Sequence, residues 1–206
     1  MTLKRKINYR STIFQVYIAC EGYNEKDYFN DLNKELKKRG YSNIIQLHPK
    51  KSSKQSADGV VECAETYFSS NCLKKYKKIY CVFDKDSNTD EQIEKAIKSA
   101  KKINAEIIFS NPCFEVWFLS HFKDDIKHIE TNELEAILSK NDKLGQDYKL
   151  KKANNFGRLK PKIQQAVKIS KKIQKSDDIK FNMEGNPSTD IYKIIEFIEN
   201  KIQSKL

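Results

Sequence analysis

Phe14-Gln15-Val16-Tyr17-Ile18-Ala19-Cys20, followed at once by Glu21-Gly22-Tyr23-Asn24-Glu25, reads as a β-strand that hands over to a helix across a glycine. The helix is predicted over 24–39, with Asn24 as its cap and Gly40 as its stop; Tyr28, Phe29, Leu32 and Leu36 give it one apolar face. The alternation then repeats. A second strand is predicted over 43–48, followed by a basic loop and a helix over 58–69 that turns Val60, Val61, Ala64, Tyr67 and Phe68 inward. A third strand covers 79–83, and the next helix is capped by Thr89 with Gln92 three residues on and lined by Ile93, Ala96, Ile97 and Ala100. The fourth strand is 106–110. Strands that alternate with helices of this length predict an α/β fold: a parallel sheet of about four strands, flanked by helices on both faces and joined by right-handed crossovers.

Cys113-Phe114-Glu115-Val116-Trp117-Phe118-Leu119 is too apolar for a loop and reads as a buried helix with Pro112 in its first turn. Residues 124–206 lack strand-like runs, and helices are predicted over 132–139, 161–174 and 190–203. The chain thus divides into an α/β core, 1–123, and a basic helical C-terminal extension, 124–206, that packs on it.

The chain of 206 residues is long enough to bury a core without staples, and its 10 Tyr and 11 Phe with only 4 Pro and 6 Gly do not fit a disordered protein. No run of about 18 apolar residues occurs, and the N-terminal Met1-Thr2-Leu3-Lys4-Arg5-Lys6 has no apolar stretch of a secretory kind, so a cytoplasmic protein is expected, away from the membrane. The five cysteines form no C-x-x-C pair and fit reduced thiols, and the three histidines lack zinc-ligand spacing.

With 39 Lys and Arg against 28 Asp and Glu, the formal charge is +11. Between Lys149 and Lys175 stand ten basic residues and no acid, a stretch that predicts a polyanion-binding face making sequence-blind phosphate contacts. Lys149, Lys151, Lys152, Arg158, Lys160 and Lys162 are its candidate substrate contacts, with Asn111, at the end of the fourth strand, a further one.

Acids mark the strand ends. Glu21 follows the first strand, and Asp84 and Asp86 follow the third. In open α/β sheets ligands bind beyond the carboxyl ends of the strands, where strand order reverses. If strands one and three are neighbours, as in a 2-1-3-4 order, the three carboxylates converge and need a compensating cation; all-oxygen ligands favour Mg²⁺ or Mn²⁺. Glu25, one turn after Glu21, can face the same point. Glu115 lies in an otherwise apolar helix, where an unpaired carboxylate is costly, so it is either paired with a base or a member of the site. Lys85 should point away from the two aspartates if the segment stays extended, and His121 reads as a histidine satisfied inside the core.

Cys20-Glu21-Gly22-Tyr23-Asn24-Glu25 with Tyr28-Phe29, then Val82-Phe83-Asp84-Lys85-Asp86, then Ser110-Asn111-Pro112-Cys113-Phe114-Glu115-Val116-Trp117-Phe118 with His121-Phe122, and Asn186-Pro187-Ser188-Thr189, resemble the RloB family in kind and in order. The family pattern usually has Thr where this chain has Asn24. The resemblance implies a TOPRIM-like core, with Glu21 as the TOPRIM acid and Asp84 and Asp86 as the metal-binding pair. It further implies a nuclease acting on RNA such as tRNA, or on DNA, as the second component of a two-gene phage-defence system of the abortive-infection kind, beside a partner ATPase. No G-x-x-x-x-G-K-[ST] occurs, so energy input is expected from that partner. The rival reading is an inactive nucleic-acid-binding or partner-docking module; oligomeric state is left open.

Overall fold

The computed structural model describes residues 13–68, 75–146, 148, 156–174 and 178–205. Strand β1 (Phe14–Cys20) leads through Gly22 into α1 (Tyr23–Lys38); β2 (Ile45–Lys51), α2 (Ala57–Tyr67), β3 (Lys78–Asp84), α3 (Asp90–Lys102) and β4 (Glu106–Asn111) follow. After them come α4 (Glu115–Ser120), α5 (Thr131–Leu138), α6 (Phe156–Leu159) with the 3₁₀ turn Lys160–Lys162, α7 (Ile163–Ile173), α8 (Ile179–Glu184), β5 (Ser188–Thr189) and α9 (Ile191–Gln203). The sheet runs β2-β1-β3-β4-β5, with every pair parallel except β4 and β5.

Alternation along the inner strands sends successive side chains to opposite faces. Val16, Ile18, Tyr80, Val82 and Ile108 belong to one hydrophobic cluster, which continues through α1, α4, α7 and α9. Tyr17, Ala19, Ile79, Cys81, Phe83, Ile107 and Phe109 join the other, beneath α2 and α3. Because both faces are covered, β1, β3 and β4 are near-continuous apolar runs, whereas β2, at the edge, alternates buried with half-buried positions. The C-terminal helices are built into the first cluster: Leu134, Leu138, Val167, Ile169, Ile194 and Ile198 pack in it beside Val16 and Trp117.

Local signals set several boundaries. Thr89 and Gln92 form the expected capping box at α3, and Ser56 accepts from Gly59 N at 3.2 Å to cap α2. Gly40 stands just past α1 at φ 82°, a left-handed conformation that glycine adopts without strain.

Three expectations differ. The N-cap of α1 is Gly22, not Asn24, and it makes no side-chain cap hydrogen bond; the Asn24 side chain is drawn elsewhere. Helix α4 starts at Glu115, so Pro112 precedes it rather than filling its first turn, and its carbonyl accepts from Asp86 N at 3.0 Å. The sheet has a fifth strand. Ser188–Thr189 runs antiparallel to β4, Asp190 N donates to Phe109 O at 2.8 Å, and the hydroxyls of Ser110 and Thr189 lie 3.0 Å apart. Two hydroxyl residues are too short and too polar for a period-two signal, and only the partner strand makes them a strand.

No helix among the described residues is long and apolar enough to cross a membrane. Cys20, Cys81 and Cys113 are buried free thiols and Cys63 is half-buried.

Candidate functional site

With β1 and β3 paired side by side, Glu21 and Asp84 emerge from neighbouring strand ends. Their side chains line a cleft of about 690 Å³ together with Glu25 from the first turn of α1 and Glu115 from the start of α4. Gly22, Tyr23, Asn24, Gln55, Ser87 and Phe114 complete its lining.

Each acid is held differently. Glu21 is 7% exposed; its Oε2 accepts from Asp84 N at 3.1 Å, and Asn88 Nδ2 donates to both of its oxygens at 3.3 and 3.2 Å. Burial raises its pKa, those hydrogen bonds oppose the rise, and the nearby Asp86 charge adds to it. Glu25 folds back over the α1 terminus, so a Cβ on Gly22 would lie 2.7 Å from its Oε2. Glycine at position 22 therefore leaves room for this carboxylate. Burial, then the charges of Glu115 and Glu21, push Glu25 up to about 7 against hydrogen bonds from the backbone of Glu25 and Gly22.

Asp84 is the most burdened of the set. Burial first, then the charges of Glu25, Glu115 and Glu21, hold its carboxyl well above the usual range, with only the Phe114 N–H pulling the other way. Its buried Oδ1 has no hydrogen-bond partner. Glu115 Oε1 accepts from Asn24 Nδ2 at 2.8 Å and from the Tyr148 hydroxyl at 2.9 Å. It is thus tied to two neutral donors rather than to a base, and lines the cleft.

Asp86 is placed outside the cleft lining. It is exposed, with Oδ1 accepting from Ser87 Oγ at 3.0 Å and Oδ2 from Thr131 Oγ1 at 2.9 Å. The reason is the end of β3 at Asp84: Asn88 N bonds Lys85 O at 3.0 Å, so the chain turns and residues two apart no longer share a face. Lys85 pairs with Asp90 at the head of α3.

Among the described residues no three or more His, Cys, Asp or Glu already stand as a ready-made metal site. The donor chemistry nonetheless suits a hard divalent cation: four carboxylates line one cleft, the charges of the others raise the proton affinity of Glu25 and Asp84, and Asp84 carries an orphaned buried oxygen.

The motifs that build this cleft lie within a longer match, because the family model for RloB-like proteins covers residues 16–198. The chain belongs to the RloB-like family. No curated protein and no solved structure matches it.

The remaining described candidates of this RloB-like chain lie apart from the cleft lining. Asn111 is buried, and its Nδ2 donates to the carbonyls of Asn182 at 2.9 Å and Met183 at 3.0 Å, tying β4 to α8. His121 Nδ1 donates to Trp117 O at 2.8 Å inside the core, and burial lowers its pKa to about 4. Arg158 donates to the carbonyls of Asn141 at 2.5 Å and Lys143 at 2.7 Å, Lys160 pairs with Glu35 at 3.0 Å, and Lys162 lies 4.7 Å from the Phe122 ring centre. Lys149, Lys151 and Lys152 are outside the described residues. An acid-free run is therefore not free of acids in space: Lys160 meets Glu35, and Lys171 meets Glu196 at 2.7 Å.

Two residues that hold the carboxylates of the RloB-like cleft from behind its lining escape sequence reasoning. Asn88 donates to Glu21 and, at 2.7 Å, to Asp84 O, while its Oδ1 accepts from Ala57 N at 2.5 Å; in sequence it looks like an ordinary turn asparagine. Tyr148 reaches Glu115 from 33 residues away, a contact with no local signature.

Proposed function

We propose that this RloB-like protein is a metal-dependent nuclease that hydrolyses phosphodiester bonds of RNA such as tRNA, or of DNA, as the effector of a bacterial anti-phage defence system. On this reading the core is TOPRIM-like, the protein works in the cytoplasm, and a partner ATPase controls it and supplies any energy input, the sequence having no G-x-x-x-x-G-K-[ST]. The observation that carries the proposal is the gathering of Glu21, Glu25, Asp84 and Glu115 on one cleft, with the buried Asp84 Oδ1 lacking a partner.

Asp84, Glu21, Glu25 and Glu115 would hold Mg²⁺ or Mn²⁺. When bound, such an ion neutralises phosphate charge and makes water a nucleophile at neutral pH. The protein's part is placement and proton transfer. Asn88 and the Asp84 N–H fix the Glu21 carboxylate, which would take a proton from the attacking water. Asn24 and Tyr148 fix Glu115. Asp86, hydrogen-bonded to Ser87 and Thr131, acts through its charge on Glu21 and by joining the β3 turn to α5.

The test is cleavage of tRNA, single-stranded and duplex substrates in Mg²⁺ or Mn²⁺, with the partner ATPase present. Metal stabilisation of the transition state is worth several kcal/mol, so Glu21→Ala and Asp84→Ala should each lose about 10³-fold or more. Unchanged cleavage in both variants contradicts the assignment. The rival, a non-catalytic binding module, is favoured by one observation: none of the acids among the described residues is already arranged as a metal site. It requires that Asp84→Asn leave every measurable function intact.

A further inference from the structure

Among the described residues Tyr23 is the exposed large hydrophobic side chain, 64% accessible, and it stands on the rim of the carboxylate cleft. An aromatic ring left in water beside four acids gains nothing from the core, which absorbs the other aromatics of this face, Tyr28, Phe29, Phe114 and Phe118, completely. Two ammonium groups attend it: Lys26 Nζ lies 5.5 Å and Lys51 Nζ 5.2 Å from the ring centre. Among the described residues neither lysine forms an ion pair with a carboxylate, unlike Lys54, Lys78, Lys85, Lys160 and Lys171. Lys51 Nζ makes only a 3.1 Å bond to Ser52 O.

We infer that Tyr23 is a stacking platform for an unpaired base, with Lys26 and Lys51 on the flanking phosphates, so that the cleft takes single-stranded nucleic acid or an unpaired loop rather than duplex. The inference rests on the nucleic-acid reading above and narrows its substrate class. An exposed cation–π contact is worth about 0.5–1 kcal/mol, whereas stacking a base on an aromatic ring is worth about 1–3 kcal/mol. An incoming base therefore displaces an ammonium from the ring, and that ammonium is freed for a phosphate. Bases inside a duplex already have both faces stacked and cannot use the ring. The acids also lie below the rim, with Glu21 7% and Glu25 4% exposed, so the backbone must bend inward beside Tyr23, which a single strand does readily.

The test is equilibrium binding of the full chain to a 12-nucleotide single strand and to a duplex of the same sequence, in Ca²⁺. Tyr23→Ala should weaken single-strand binding about tenfold or more and leave duplex binding unchanged; Tyr23→Phe should restore it. Tyr23→Trp adds an exposed indole to the buried Trp117, and its fluorescence should be quenched by the single strand and not by the duplex. Equal affinity of wild type and Tyr23→Ala for the single strand overturns the inference, as does equal quenching by both ligands or no single-strand binding by wild type. Cleavage that needs Asp84 but ignores Tyr23 would sink this inference alone; Tyr23-dependent binding without cleavage would sink only the nuclease.

Discussion

Asp84→Asn should make the metal-free protein more stable and, on the proposed nuclease reading, catalytically dead in the same step. In the folded chain this carboxyl suffers burial and the charges of Glu25, Glu115 and Glu21, while its Oδ1 has no donor. The amide keeps the shape and removes one negative charge from a set that repels itself. A rise in Tm in metal-free buffer is expected by scanning calorimetry, alongside a cleavage loss of about 10³-fold. Wild type should recover the difference when Mg²⁺ or Mn²⁺ is added, because an ion that binds only the folded state stabilises it, and the variant should respond far less. A fall in Tm on substitution would mean that Asp84 is a structural acid.

Asn88→Ala should have the opposite sign on stability and also impair function. One side chain serves three elements: it accepts from Ala57 N at the head of α2, donates to Asp84 O at the end of β3 and donates to both Glu21 oxygens beyond β1. Alanine leaves a buried N–H, a carbonyl and a carboxylate short of partners at once. Unmet buried polar groups cost about 1–3 kcal/mol each, with partial relief where water enters, so a loss of about 3 kcal/mol and roughly 6–12 °C in Tm is expected. Misplacing a catalytic group by about 1 Å can cost 10²-fold, and loss of Glu21 orientation should lower cleavage by about that factor. Thermal unfolding of Asn88→Ala at the wild-type temperature would remove Asn88 from its assigned place.

The sheet was readable because its inner strands are buried on both faces and so appear as apolar runs at β1, β3 and β4. Once β1 and β3 are neighbours, the meeting of Glu21 with Asp84 follows from register, where Cys20 pairs with Val82. What failed to show in sequence needed partners from afar. Ser188–Thr189 is a strand only because β4 offers an edge, and Asn24 turns from cap to donor because Glu115 arrives beside it. Asp86 illustrates a different limit. The spacing of Asp84 and Asp86 implies one face only while the backbone stays extended, and a turn at Lys85–Asn88 removes that condition. Within the basic run, the acids that meet Lys160 and Lys171 are likewise invisible in sequence, since Glu35 on α1 and Glu196 on α9 come to them only in three dimensions.

On the proposed reading these carboxylates hold a divalent ion. A crystal of the protein soaked in Mn²⁺, with data collected at a wavelength where manganese scatters anomalously, tests it most directly. An anomalous peak is expected in the cleft within about 2.0–2.3 Å of Asp84 Oδ1, with at least one further oxygen from Glu21, Glu25 or Glu115 in reach. A cleft free of anomalous signal at millimolar Mn²⁺, with Asp84 Oδ1 bonded to an ordered water or a protein donor, would contradict it.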